Sequence, residues 1–287
     1  MQPNFYVKSH GLGNEYVVLD NTNITATITK EFIIKICDIH YGIGTDGVLL
    51  KVPSMKADFG LKIYNPDGSE AEKSGNGLRI FCKYLYDYGF TDSDSFTVET
   101  LGGLVTAVVL ESKFGKAQLI KIDMGKAQFE TRNIPAIFDK PEIIKEKLIV
   151  GDKEFSICCV SVGNPHCVVL SENFDEAMVR KYGPLIENHP MFPNRINVQF
   201  AKVISESSVQ IQIWERGAGY TLASGSSSCA VACVTRKLGL VGKNVKVIMP
   251  GGTLDIVVED SWEIKMAGPV REIASGILSN EFLEDCK

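Results

Sequence analysis

The stretch SEAEKSGNGLRIF, Ser69 to Phe81, and the stretch TLASGSSSCA, Thr221 to Ala230, together decide the predicted fold. Each places a Ser-Gly pair at the start of a predicted helix, and the pairs Ser74-Gly75 and Ser224-Gly225 lie 150 positions apart. The same shift aligns further blocks without a gap: Gly13-Asn14 with Gly163-Asn164, LKIYN 61–65 with IQIWE 211–215, Gly89 with Gly239, and Gly102 with Gly252. Repetition at one spacing indicates a duplicated structural unit.

Both copies predict the same order of elements. A strand with alternating apolar residues, LKIY 61–64 or VQIQIW 209–214, leads into the Ser-Gly pair, and a helix ending at glycine follows, over 75–89 or 225–239. The next strand-like segments are SFTVET, LVTAVVL and QLIKIDM in the first copy, and VKVIMP, LDIVVE and WEIKMAG in the second. Both helices are apolar around much of their circumference, which is typical of a helix enclosed by a sheet.

The predicted fold class is therefore α+β, with two pseudo-symmetric lobes, each a curved, mainly antiparallel sheet around a central helix. We expect residues 1–124, completed by 270–287, to form the N-terminal lobe, and 125–269 to form the C-terminal lobe. Ser74 and Ser224 are then expected to face each other across the cleft between the lobes, which is the default place for a ligand.

Composition narrows the class of ligand. The 287 residues carry 30 Lys and Arg against 35 Asp and Glu, a net charge of −5, so nucleic acid is not an expected partner. The N-terminus lacks the pattern of a secretion signal, and no apolar run approaches the roughly 20 residues of a membrane span, so we expect a cytoplasmic location.

The eight cysteines lie mostly in apolar runs, as buried reduced thiols do, and Cys229 and Cys233 have no second pair with zinc spacing. We therefore expect no metal, and a small zwitterionic ligand.

The two helix starts suit a ligand carboxylate. A helix N-terminus exposes unpaired N–H groups and carries about half a positive charge. Gly75 and Gly225 let a ligand approach the backbone, and Asn76 and Ser226 add donors. Each serine taken alone is explained as a helix N-cap.

Other polar residues recur at the ends of predicted strands. Each asparagine alone would be a turn former, His166 a satisfied buried histidine, and Glu215-Arg216 a surface ion pair. Their repeat-related positions beside the expected cleft favour a functional role. The asparagines are Asn14, Asn65, Asn164 and Asn197.

Seven separated blocks give the chain a specific resemblance to diaminopimelate epimerases. These are HGLGNEYVVLD, YGIGTDG, YNPDGSEAEKSGNGLR, VGNPHCVV, FPNRINVQF, WERGAGYTLASGSSSCA and PGGTLDIVV, in the order in which that family has them. The resemblance implies an epimerase without pyridoxal phosphate or metal that interconverts L,L- and meso-diaminopimelate, a precursor of lysine and peptidoglycan. One cysteine in each lobe removes or returns the α-proton on opposite faces, and homodimers are expected.

The resemblance also implies roles for single residues. Asn14, Gly75, Asn76, Gly225 and Ser226 would surround the α-carboxylate end of the substrate. The distal amino and carboxylate groups would be held by Asn65, Asn164, Asn197, Glu215 and Arg216. His166 and Glu215 would also lie near the acid/base pair at positions 74 and 224.

The chain departs from the family's sequence pattern at both catalytic positions and at one position close to the second of them. The family's CGNG and ACGSG blocks read SGNG and ASGSS here, so Ser74 and Ser224 replace both catalytic cysteines, and Tyr220 stands where the family usually has glutamate. A serine hydroxyl is a poor base unless a partner such as His166 or Glu215 takes its proton. Three explanations stay open: an engineered Cys-to-Ser pair, which Tyr220 argues against; a natural branch that is a slow epimerase, another racemase or a dehydratase; or an amino-acid binder without catalysis.

Overall fold

The structure is a computed structural model that describes residues 2–286 and forms two compact units. Unit 1 runs up to Asp123 and resumes at Gly268, and unit 2 is Met124–Ala267. Strands and helices occur in both units, which confirms the α+β class. No helix within residues 2–286 is long and apolar enough to span a membrane.

Unit 1 is a mixed sheet with a recurrent pattern of strand directions. Its strands are β1 (Phe5–Gly11), β2 (Asn14–Asp20), β3 (Val48–Val52), β4 (Phe59–Tyr64), β5 (Glu70–Ala71), β6 (Ser95–Thr100), β7 (Gly103–Lys113), β8 (Lys116–Lys126) and β18 (Arg271–Ile277), and its helices are α1 (Lys30–Cys37), α2 (Gly75–Asp87) and α5 (Asn280–Glu284). The order across the sheet is β18-β1-β2-β3-β4-β6-β7-β8. The pairs β2/β3 and β4/β6 are parallel and the others antiparallel, while β5 forms a short hairpin with β4.

Unit 2 repeats this arrangement. Its strands are β9 (Glu146–Val150), β10 (Lys153–Ser161), β11 (Pro165–Leu170), β12 (Asn197–Ser205), β13 (Ser208–Glu215), β14 (Gly219–Thr221), β15 (Asn244–Met249), β16 (Gly252–Val258) and β17 (Glu263–Pro269), and its helices are α3 (Glu176–Glu187), α4 (Gly225–Lys237) and a 3₁₀ turn (Thr131–Asn133). The order is β9-β10-β11-β12-β13-β15-β16-β17, with β11/β12 and β13/β15 parallel. The strand β18 thus takes the place in unit 1 that β9 takes in unit 2.

The helices α2 and α4 lie where the repeat predicts them, and both are enclosed. A continuous run, Asn76 to Leu85, is buried in α2, and α4 contacts six strands of its own sheet. Each helix starts at a serine N-cap and is followed by a glycine of positive φ, Gly89 at 70° and Gly239 at 69°. Glycine adopts this conformation without steric cost, which is why both helices end there.

A second helix packs on each sheet and has no counterpart among the predicted elements. In unit 1, Phe32, Ile33 and Ile36 of α1 join a buried apolar cluster with residues of β2 and β3. In unit 2, α3 contributes Val179, Tyr182 and Ile186 to a cluster with residues of β10, β11 and β12. Each sheet therefore has apolar packing on both faces, which keeps the strand ends next to α2 and α4 in fixed positions.

Candidate active site

Ser74 caps α2 and also contacts a second hydroxyl. Its backbone is extended, with φ −137° and ψ 119°, and its Oγ accepts a hydrogen bond from Gly77 N at 3.0 Å. The phenol oxygen of Tyr16, on β2, lies 3.2 Å from Ser74 Oγ. A side chain at Gly77 would crowd this turn, since a Cβ there would lie 3.1 Å from Ser74 Oγ. Ser74 is thus an N-cap with a phenol as its neighbour.

Asn14 and Asn76 meet beside this helix start. Asn76 Nδ2 donates to Asn14 Oδ1 at 3.1 Å, and the buried Arg79 donates through Nη2 to Asn76 Oδ1 at 2.8 Å. Asn14 Nδ2 in turn donates to Asp46 Oδ2 at 2.8 Å. These bonds fix both amide orientations next to the N-terminus of α2, and a helix N-terminus is where an anion binds a helix.

Asn65 occupies a turn. It follows β4, is exposed, and donates through its backbone N to Ser69 O at 2.9 Å and through Nδ2 to Ser69 Oγ at 3.0 Å. Its described hydrogen bonds therefore stay inside this turn, and they do not bring it to Ser74 or Asn76.

Ser224 caps α4 in a more enclosed setting. It is buried, with φ −147° and ψ 126°, and its Oγ accepts a long hydrogen bond of 3.4 Å from Ser227 N. In the described structure, one side-chain atom is hydrogen-bonded to this Oγ, namely Ser226 Oγ at 3.5 Å. Ser228 Oγ donates to Ser224 O at 2.8 Å. The described partners of the Ser224 hydroxyl are thus a backbone N–H and another alcohol, with no titratable side chain among them.

His166 is completely buried and neutral. Its Nδ1 lies 3.0 Å from Gln199 Nε2, which also donates to Ser227 Oγ at 3.0 Å. Because an amide nitrogen donates, Nδ1 is the acceptor and Nε2 carries the proton that goes to Asn164 Oδ1 at 2.8 Å. Burial lowers the pKa of His166 to about 3. Both ring nitrogens are occupied, so this arrangement suits His166 to orient Asn164 and does not make it a proton acceptor for Ser224.

Asn197, Glu215 and Arg216 come together at the loop between β13 and β14. Asn197 is buried, donates to Pro165 O at 2.9 Å and accepts from Arg216 N at 3.0 Å. Glu215 Oε1 accepts from Thr221 Oγ1 at 3.2 Å, across the same hairpin. Arg216 Nη1 donates to Asn194 O at 3.3 Å. The loop thus carries one acidic and one basic residue at consecutive positions, a pair of charges that suits a zwitterionic group.

Glu187 holds that loop in place, a role that was not predicted from the sequence. It is buried at the end of α3, and its Oε2 accepts from Trp214 Nε1 at 2.7 Å while Oε1 accepts from Gly217 N at 2.9 Å. Arg195 Nη1 adds a contact of 3.3 Å. The signal in the sequence is a glutamate in the apolar context PLIENHP, since a buried carboxylate requires donors around it.

Tyr220, which departs from the family pattern, takes part in packing. It pairs with Trp214 across the β13/β14 hairpin and packs against the apolar cluster of α3. The guanidinium carbon of Arg180, on α3, lies 4.6 Å from the ring centroid. A cation over an aromatic face is stabilising, so the contact with Arg180 stabilises Tyr220 in this position.

The cysteines lie mostly in the interior of the described structure. Within residues 2–286 no cysteine forms a disulfide bond, and seven of the eight are buried, as their apolar context predicts. Burial raises the pKa of the Cys37 thiol to about 11 and also raises that of Cys158. Among residues 2–286, no group of three or more His, Cys, Asp or Glu side chains is placed to hold a metal ion.

Comparisons of the sequence with known proteins match it to diaminopimelate epimerases over nearly its whole length. The sequence profile described as diaminopimelate epimerase matches residues 6–130 and 158–273. The chain is 48% identical to diaminopimelate epimerase 2 of Nostoc sp., with 96% of both chains covered, and 38% identical to the diaminopimelate epimerase of Pelotomaculum thermopropionicum, with 94% of this chain and 97% of the relative covered.

Solved structures with the same fold are more distant in sequence. A hydroxyproline epimerase from Agrobacterium vitis, with bound trans-4-hydroxy-L-proline, has a TM-score of 0.72 at 14% identity and covers 96% of this chain and 90% of its own. A phenazine biosynthesis protein of the PhzF family from Bacillus anthracis has a TM-score of 0.67 at 15% identity, with 97% and 100% covered. At these identities the likeness concerns the fold alone.

Proposed function

The chain belongs to the diaminopimelate epimerase family, and we propose that it binds diaminopimelate and interconverts its L,L and meso forms by removing and returning the α-proton. The observation that carries this proposal is the duplicated half-site. In each unit a serine caps an enclosed helix at the position where the family resemblance places a catalytic cysteine. Two opposed acid/base groups are what inversion of an α-carbon requires.

In this proposal the helix starts bind the α-carboxylate. Asn14 and Asn76 beside α2, and Gly225 and Ser226 at the start of α4, supply the hydrogen-bond donors. The same N–H groups stabilise the negative charge that grows on the carboxylate as the α-proton leaves. Gly75 leaves the backbone of α2 accessible to the ligand.

The distal end of the substrate is assigned to the loop after β13. Glu215 is proposed to bind the distal ammonium and Arg216 the distal carboxylate, with Asn65, Asn164 and Asn197 as further partners. The support is the fixed position of this loop, which Asn197 and Glu187 hold through Arg216 N and Gly217 N. His166, neutral and fully bonded, supports Asn164 in this arrangement.

The serines set the rate. A hydroxyl is a far weaker base than a thiolate, so we propose a slow enzyme that resembles its relatives in binding more than in turnover. We further propose that the chain works as a cytoplasmic homodimer without a cofactor, as the family resemblance implies.

The test is α-proton exchange in heavy water, followed by NMR with L,L- and meso-diaminopimelate. The wild-type chain should bind both isomers and exchange the α-proton slowly. The double variant Ser74→Cys, Ser224→Cys should raise the exchange rate by at least about 100-fold, since a positioned acid/base group contributes roughly 10² to 10⁴. A double variant that binds neither isomer, or binds without exchange, would contradict the proposal.

A second candidate function is amino-acid binding without catalysis. It is favoured by the surroundings of Ser224, whose described partners hold no titratable group. Measurable binding of diaminopimelate with no exchange in the wild-type chain, together with rapid exchange in the double cysteine variant, would select this alternative.

A further inference from the structure

The two half-sites differ in the described neighbours of their serines: the phenol of Tyr16 lies beside Ser74, whereas the described partners of Ser224 include no ionisable side chain. Tyr16 Oη lies 3.2 Å from Ser74 Oγ. Position 16 corresponds to position 166 in the repeat, and His166 has both ring nitrogens occupied by Asn164 and Gln199. The described contacts of Ser224 are with Ser226 and the Ser227 N–H. Among the described partners of the two serines, a group able to accept the serine proton is therefore found beside Ser74 and not beside Ser224.

The hydrogen bonds of Ser74 leave it able to work as a relay. A serine hydroxyl has one proton and two acceptor sites. Gly77 N occupies one acceptor site at 3.0 Å, which keeps the side chain in a single orientation. When the hydroxyl proton points to Tyr16, one lone pair of Ser74 Oγ remains for an incoming proton.

The position of the Tyr16 ring is fixed by its surroundings. Tyr16 is buried, with 8% of its surface exposed. A Cβ at Gly47 would lie 2.7 Å from Tyr16 Cε1, so the glycine makes room for the ring. Because the ring and the Ser74 side chain are both held in place, the contact between the two hydroxyls is a built feature of unit 1.

We propose that Tyr16 is a positioning residue that acts through Ser74 and makes Ser74 a working base. This inference rests on the proposed function. The Tyr16 phenol first loses its proton to solvent. The substrate Cα–H bond then breaks, its proton goes to Ser74 Oγ, and the hydroxyl proton of Ser74 goes to the Tyr16 phenolate. The electron pair stays on Cα, stabilised through the α-carboxylate, and nothing is oxidised or reduced. A phenol, with an ordinary pKa of about 10, is a more accessible acceptor than any alcohol.

The relay has a stereochemical consequence. Because the relay acts through Ser74 alone, α-proton exchange into heavy water should be faster for one configuration at Cα than for the other. The difference should be largest in the wild-type chain and should shrink when Ser224 is replaced by cysteine.

The test is a double-mutant cycle on α-proton exchange with L,L- and meso-diaminopimelate. In the wild-type background, Tyr16→Phe should lower the exchange rate by at least about 100-fold, the contribution of a general base, while KM or Kd stays within twofold. In the Ser74→Cys background the same change should cost less than about threefold, since a thiol with an ordinary pKa near 8.5 needs no relay. Tyr88→Phe is the matched control, because it removes one hydroxyl contact, 3.2 Å from Glu272 Oε1, elsewhere in unit 1.

The outcomes separate the relay from the proposed function. Equal losses in both backgrounds would show a merely structural role for Tyr16 and overturn the relay. Exchange in Ser74→Cys with none in the wild-type chain would also overturn it, while the proposed pocket would stand. Absence of diaminopimelate binding in every variant, including the double cysteine chain, would instead overturn the proposed function.

Discussion

Replacing Glu187 by glutamine should loosen the loop that carries Glu215 and Arg216. The carboxylate accepts from Trp214 Nε1 at 2.7 Å and from Gly217 N at 2.9 Å, and it is buried. Hydrogen bonds to a charged group contribute roughly 1.5–3 kcal/mol each. The glutamine keeps one acceptor and turns its NH₂ toward the other donor, so one bond is lost and two donors meet. The expected decrease in unfolding free energy is about 2–4 kcal/mol.

The assay has a stability arm and a binding arm. Urea unfolding of Glu187→Gln is compared with Glu176→Gln, whose partner Arg180 lies at 2.7 Å in a pair with both side chains more than half exposed. The control should change the unfolding free energy by less than about 0.5 kcal/mol. Calorimetry should show affinity for diaminopimelate reduced about tenfold in Glu187→Gln, with affinity for norleucine, which lacks the distal groups, nearly unchanged.

Two results would refute this reasoning. The first is an unfolding free energy of Glu187→Gln within about 0.5 kcal/mol of wild type, because the buried bonds would then contribute nothing. The second is an equal loss of affinity for both ligands, because the loop would then not be specific for the distal end.

Three further predictions concern a histidine, a tyrosine and the cysteines. Burial lowers the pKa of His166 to about 3, so the neutral histidine contributes fully to stability above about pH 6.5, and this contribution is lost as the pH falls from there toward 3. Urea unfolding should show a loss of about 2 kcal/mol in unfolding free energy between pH 7 and pH 5. The variant His166→Gln should not show this loss. Tyr220→Glu should lower the unfolding free energy by about 1–2 kcal/mol, because packing and the Arg180 contact are lost, and it should change kcat/KM less than about threefold. A tenfold change in kcat/KM would show that residue 220 contributes to the active site. Ellman's reagent should label Cys286, the one cysteine that is not buried, well before the others, and Cys286→Ser should abolish the rapid phase; a rapid phase that persists would mean that a buried thiol is accessible.

The repeat made the central elements of both units predictable. Ser74 and Ser224 cap helices that begin and end as the Ser-Gly pairs and the later glycines indicate. These features are local, because caps and C-terminal glycines act within a turn of the chain. The strands on either side were predictable for the same reason, since their alternation is visible in six or seven residues.

Contacts that join distant positions could not be predicted from the sequence. The Tyr16 and Ser74 hydroxyls are 58 positions apart, and Glu187 meets Trp214 over 27 positions. Nothing in the local pattern distinguishes Tyr16 from any apolar residue of YVVL. The low pKa of His166 likewise depends on its complete burial, which only the folded sheet produces.

The assignment of β18 to unit 1 has a consequence for the order of folding during synthesis. All of unit 2, Met124–Ala267, is continuous in the chain, whereas unit 1 lacks the strand beside β1 until the residues after Gly268 have been made. Domains fold as units while the ribosome adds about 5–20 residues per second. The half that begins first therefore finishes last, and until then β1 exposes an unpaired edge, which is a site for mispairing with other chains. A chain truncated before Arg271 therefore contains all of unit 2 but lacks the strand that pairs with the outer edge of β1 in unit 1.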